Sequence, residues 1–119
     1  MSLQKLLDLS EQSLEYNLEG KQQFARLGRS VLKLVAKEAG FVNANIRFQK
    51  GGIATSGDLI LETKNVYIHL NQFAGKMKLM YRGKHSNKTN QYCQLERILD
   101  GGFVCKLKAL ESSELVAVS

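Results

Sequence analysis

Apolar residues recur at Leu3, Leu6, Leu7, Leu14 and Leu18, a spacing that suits an α-helix. Gly20 interrupts the pattern. It resumes with Phe24, Leu27, Val31, Leu34 and Val35 and stops at Gly40, a natural C-terminal cap with Phe41 and Val42 beyond it. The first third is therefore expected as one interrupted helix or as a helical hairpin.

Past Gly40 the period changes to two. Asn45 to Gln49, Asp58 to Glu62, Val66 to Leu70 and Lys76 to Arg82 read as strands, the middle two joined by the hairpin turn Thr63-Lys64-Asn65. Alternation sends Ile46, Phe48, Leu59, Leu61, Val66, Ile68, Leu70, Met77, Leu79 and Tyr81 to one face. The opposite face then carries Arg47, Ile60, Tyr67, His69, Lys78, Met80 and Arg82. After a basic loop, Asn90 is expected to cap a short helix with Tyr92, Leu95, Ile98 and Leu99 on it, ended by Gly101 and Gly102. "FVCKLKAL" alternates again and predicts an edge strand over 103–109, followed by a frayed tail. The expected fold is α+β. The N-terminal helix or hairpin packs on a four- to five-stranded antiparallel sheet, and a short C-terminal helix occupies 90–100. At 119 residues the chain is read as one domain, 1–119, large enough to bury a core without staples.

Charge sharpens this picture. Residues 1–20 sum to −3, residues 21–50 to +6 and residues 71–90 to +5, within a total of +6. No acid occurs between Glu62 and Glu96. A basic balance of this kind favours anionic partners. Asp8, Glu11, Glu15 and Glu19 step along one helical face, and Arg26, Arg29, Lys33 and Lys37 repeat the same steps eighteen residues later, about five helical turns. An unbroken helix with those stripes would pair with an antiparallel copy of itself. A reversal at Gly20 would instead set Glu19 near Arg26, Glu15 near Arg29 and Glu11 near Lys33.

Chemistry is sparse. Cys93 and Cys105 are expected as reduced thiols, and two histidines without close Cys/His spacing argue against zinc. The glycine-rich "KGGIATSGD" lacks the Lys-Ser/Thr and the following helix of a P-loop, so it reads as turns and a strand start. No nucleophile is followed by a base and an orienting group, and no cofactor motif is present; an enzyme is not expected. No apolar run is long enough to span a bilayer, and acids come too early for a signal peptide. A cytoplasmic setting is expected, that of the host cell if the protein is viral.

"IRFQKGGIATSGDLILETKNVYIHLNQ", with "LMYR" and a basic loop after it, resembles short uncharacterised proteins encoded by bacteriophages, over residues 42 to 99. That resemblance supplies no catalytic residues. It implies a small protein that acts by binding, including against host defences. The predicted order of helix, strands, basic loop and helix is also similar in topology to the double-stranded-RNA-binding domain, with Lys84, His85 and Lys88 as the counterpart of its basic loop. The Ala-rich last helix and paired lysines of that family are missing here.

These readings converge on a binder of nucleic acid or a nucleotide-like anion. Its candidate ligand residues are Arg47, Tyr67, His69, Lys76, Lys78, Arg82, Lys84, His85 and Lys88. The alternative is a protein-binding module, such as an inhibitor of a host defence protein or a homodimer, acting through Glu11, Glu15, Arg26, Arg29, Lys33 and Lys37.

Overall fold

The computed structural model describes residues 18–41, 43–49, 55–73, 76–86, 88–98 and 101–118. Helix α1 (Leu18–Ala39) leads into strands β1 (Asn45–Gln49), β2 (Thr55–Glu62), β3 (Val66–Phe73), β4 (Lys76–Gly83) and β5 (Gln91–Cys93). A 3₁₀ turn (Leu95–Ile98) and helix α2 (Gly102–Val118) complete the order. The architecture is α+β, with a five-stranded antiparallel meander in the order β1-β2-β3-β4-β5.

Helix α1 runs through Gly20 without a break, so the reversal expected there as one alternative does not occur. The helix ends as its sequence predicts. Gly40 takes φ +74°, its N–H donates to Lys37 O at 3.1 Å, and the Phe41 N–H donates to Ala36 O at 3.0 Å. This is a Schellman cap, which needs the left-handed conformation that glycine adopts without strain. Asp8, Glu11 and Glu15 lie outside the described residues, as does the glycine-rich 50–54.

Phe24, Leu27, Val31, Leu32, Val35 and Ala36 of α1 meet Leu59, Leu61, Val66, Ile68, Leu70, Leu79 and Tyr81 of the sheet in one buried cluster. Ile46 and Phe48 pack at its margin. Leu32 is buried where the sequence pattern had placed Leu34; Leu34 remains half-exposed. At Gly28 the helix backbone lies close against the sheet, and a Cβ there would overlap Leu59 Cδ1.

The C-terminal third differs from expectation. Residues 91–93 form an edge strand paired with β4, and only Leu95–Ile98 makes a short turn, so the expected helix over 90–100 is not formed. Phe103 to Ala109 is helical, not an edge strand. Phe103, Val104 and Leu107 are buried while Cys105 is exposed, a helical and not an alternating pattern. Phe103 lies edge-on to Tyr81 with ring centroids 5.6 Å apart. The tail is not frayed either, since α2 continues to Val118 and Glu114 is fully buried. Both helices share the core cluster and so cover the same face of the sheet.

Substituting Gly28→Ala is expected to lower stability. Alanine normally adds about 1 kcal/mol in a helix interior, but overpacking a closed core costs ~1–3 kcal/mol. Urea denaturation would measure the balance; a net gain would mean that Leu59 can turn aside.

Candidate anion-binding cleft

Register builds the outer face of the sheet as a lattice. Asn45, Glu62, Tyr67 and Arg82 form one row; Arg47, Ile60, His69, Met80 and Tyr92 the next; Gln49, Asp58, Asn71 and Lys78 the third. Ile60 and Met80 are buried within this face, and the polar residues surround them.

At the end of the lattice nearest the Thr63-Lys64-Asn65 turn lies a cleft of about 610 Å³, lined by Arg47, Glu62, Tyr67, Arg82, Gly83, Lys84 and Lys88. Pockets for small ligands commonly fall in the range of roughly 300–1,000 Å³. Four cations against one carboxylate give the lining a net charge of +3. Glu62 is shared: Arg47 Nη2 lies 2.9 Å from its Oε1 and Lys84 Nζ 2.7 Å from its Oε2. The Lys84 hydrogen bond, with the nearby charges of Lys84, Arg47 and Arg82, holds the Glu62 carboxyl below its usual 4.5 despite partial desolvation. Arg82 lies over the Tyr67 ring, 4.5 Å from its centroid, and donates from Nη1 to Asn90 Oδ1 at 3.1 Å. Asn90 thus anchors a cation where the sequence suggested a helix cap. Lys88 is exposed.

Two loops are locked together beneath this cleft. In the β2–β3 turn, Thr63 Oγ1 accepts the N–H groups of Asn65 and Val66 at 3.2 and 3.1 Å. The loop after β4 joins it through Lys84 N–H to Asn65 O at 3.0 Å. His85 Nε2 faces Lys64 O and Asn65 Oδ1, each at 3.1 Å. Asn65 Nδ2 donates to Glu111 Oε1, so its Oδ1 is an acceptor, and His85 Nε2 therefore carries the proton. Helix α2 holds the loop from below. Glu114 accepts His85 N–H at 2.7 Å, Ser86 N–H at 2.9 Å and Ser86 Oγ–H at 3.1 Å. Its carboxylate fits because Gly83 has no side chain; a Cβ there would overlap Glu114 Oε1.

The structure thus brings Arg47, Tyr67, Arg82, Lys84 and Lys88 of the candidate set into one cleft. His85 is turned into the loop clamp. His69 belongs to the neighbouring row, where its Nε2 lies 2.8 Å from Asp58 Oδ1, an oxygen that also accepts Asn71 Nδ2–H at 2.7 Å. Lys78 borders a second cleft of about 460 Å³ with Leu79, Tyr92, Cys93 and Gln94. Lys76 begins β4, and its side chain lies outside the described residues. Arg26, Arg29, Lys33 and Lys37 are exposed along α1, on the far side of the sheet from the cleft.

Sequence reasoning missed two contributors. Glu62 carried a signal, as the last acid before a 33-residue stretch without one. Glu114 carried none that a local pattern could reveal.

Among the described residues, no group of three or more His, Cys, Asp or Glu side chains is placed to hold a metal ion. None of the described helices is long and apolar enough to cross a membrane. Compared with protein-family models, curated proteins and solved structures, the chain gives no match.

The lowered Glu62 carboxyl stabilises the fold above the pH at which the unfolded chain's carboxyl ionises. That contribution is lost as pH falls through the lower folded value. Glu62→Gln is therefore expected to be less stable than the wild type at pH 7 by up to about 1 kcal/mol, given the partial exposure of the pair. The gap should close on acidification and vanish once both proteins carry a neutral group there. Urea denaturation from pH 7 to pH 3 would measure it; a gap that persists at pH 3 would assign the loss to packing.

Proposed function

We propose that the protein is a non-enzymatic binder of a polyanionic ligand, a nucleic acid or a nucleotide, held in the cleft between the outer sheet face and the 84–88 loop. The observation that carries this reading is the convergence of four cations from β1, β4 and the loop around one shared carboxylate. The cleft is positive before any ligand arrives, and the bonds from Glu114 hold the loop in shape. Both features lower the cost of ordering cations around phosphates. Arg82 presents a planar fork suited to a phosphate oxygen pair, and Lys88 contributes a point charge. Asp58 and His69 have no catalytic role in this reading. The resemblance to phage-encoded proteins is in keeping with a small binding protein.

Binding should weaken linearly on a plot of log K against log salt, because each phosphate contact releases condensed counterions. Replacing Lys88 by Ala is expected to reduce the slope by about 1. Arg82→Glu combined with Lys88→Glu should abolish binding at physiological salt. Anisotropy titrations with labelled oligonucleotides and with ATP would test both; an affinity indifferent to salt and to the double substitution would refute the cleft.

A second reading has its own observation. Arg26, Arg29, Lys33 and Lys37 are exposed along an unbroken α1, and none forms an ion pair with another described residue. We propose that this stripe meets an acidic protein surface, either a host target or an antiparallel second copy offering Glu11 and Glu15. Self-association is expected to weaken at high salt and on reversing Glu11 and Glu15 to Lys. Light scattering that reads monomer at every concentration would remove the homodimer.

A further inference from the structure

We propose that the ligand is a single-stranded nucleic acid crossing the outer sheet face obliquely, with one base stacked on Tyr92 and another on the Arg82 guanidinium. The inference rests on the polyanion reading above and narrows it. Tyr92 is the direct partner of Met80 in β5, so it stands on the same face as the cleft residues. Tyr92 is 66% exposed and shares the lining of the second cleft with another cation, Lys78. Arg82 stands two residues further along β4, backed by the Tyr67 ring. Lys88 and Lys78 thus lie toward opposite ends of the face, with Arg82 and Tyr92 between them.

Geometry separates the possible ligands. From one strand spacing and a two-residue step, the Cα atoms of Arg82 and Tyr92 lie about 8 Å apart. Successive bases on one strand of a duplex are only ~3.4 Å apart, with their faces already stacked on each other. A duplex therefore meets this surface through phosphates alone and leaves Tyr92 unused. A splayed single strand offers free base faces to both platforms, and aromatic rings and guanidinium planes accept any base. A mononucleotide has one base and can occupy only one platform. Met80, buried beside Tyr92 and two residues from Arg82, keeps the ground next to both platforms apolar.

The test uses fluorescence anisotropy with labelled ten-nucleotide single-stranded DNA and RNA. A duplex of the same sequence and inorganic polyphosphate serve as competitors. Wild type should prefer one or both single strands to the duplex. Tyr92→Ala should weaken single-strand binding roughly 5- to 150-fold, the range of one lost base stack. Tyr92→Phe should stay within about twofold, because the stacking face is kept. Polyphosphate binding should be the same in all three proteins. If Tyr92→Ala leaves single-strand affinity unchanged, or duplex and polyphosphate compete as well as the single strand, this inference is overturned while the polyanion reading stands. If neither these four ligands nor ATP binds, both fall.

Discussion

An antiparallel meander with helices on one face has a single face left on which to display charge. Alternation along β1 to β4 puts Leu59, Leu61, Ile68, Leu70 and Leu79 under α1 and α2, and the same alternation forces Arg47, Glu62, Tyr67 and Arg82 to the other side. A register slip of one residue would bury those charges and expose the core, which fixes the pairing strongly. The positions of the cations are thus a by-product of packing the leucines. The outer face inherits its order from the inner one.

Order on the sheet does not by itself make a cleft, because the cations repel one another. Two carboxylates manage this in different ways. Glu62 sits within the array and takes a share of both Arg47 and Lys84, so like charges can stand close at modest cost. Glu114 lies beneath the array, fully buried, and is spent on backbone N–H groups of the loop. One acid tunes charge; the other sets shape. Both hold the cations in one arrangement.

Much of the fold was legible because its signals are local and repeated. The period-two runs marked β1 to β4 to within a few residues at each end, and Gly40 marked the end of α1. Legibility failed where short runs satisfy two periods at once. "FVCKLKAL" alternates on paper, yet Phe103, Val104 and Leu107 also share a helical face, and contact with Tyr81 favours that face. The three residues of β5 are too few to carry a period, so Tyr92 was grouped with the apolar residues that follow it. The site was half legible for a related reason. Strand cations could be placed by parity, whereas the role of His85 depends on Asn65, twenty residues earlier, and cannot be read from its neighbours. The partners of Glu62 could not be named from the sequence, because Arg47 and Lys84 reach it only through strand pairing and a loop.

The bond from Glu114 to the His85 amide spans 29 residues of chain. During synthesis the meander, with its short hairpin connections, can form while this partner has yet to be made. The loop bearing Lys84 and Lys88 then waits, its amides open, until α2 has been completed and docked. The shape of that loop is therefore fixed only once α2 has docked, and not by the hairpin that carries it.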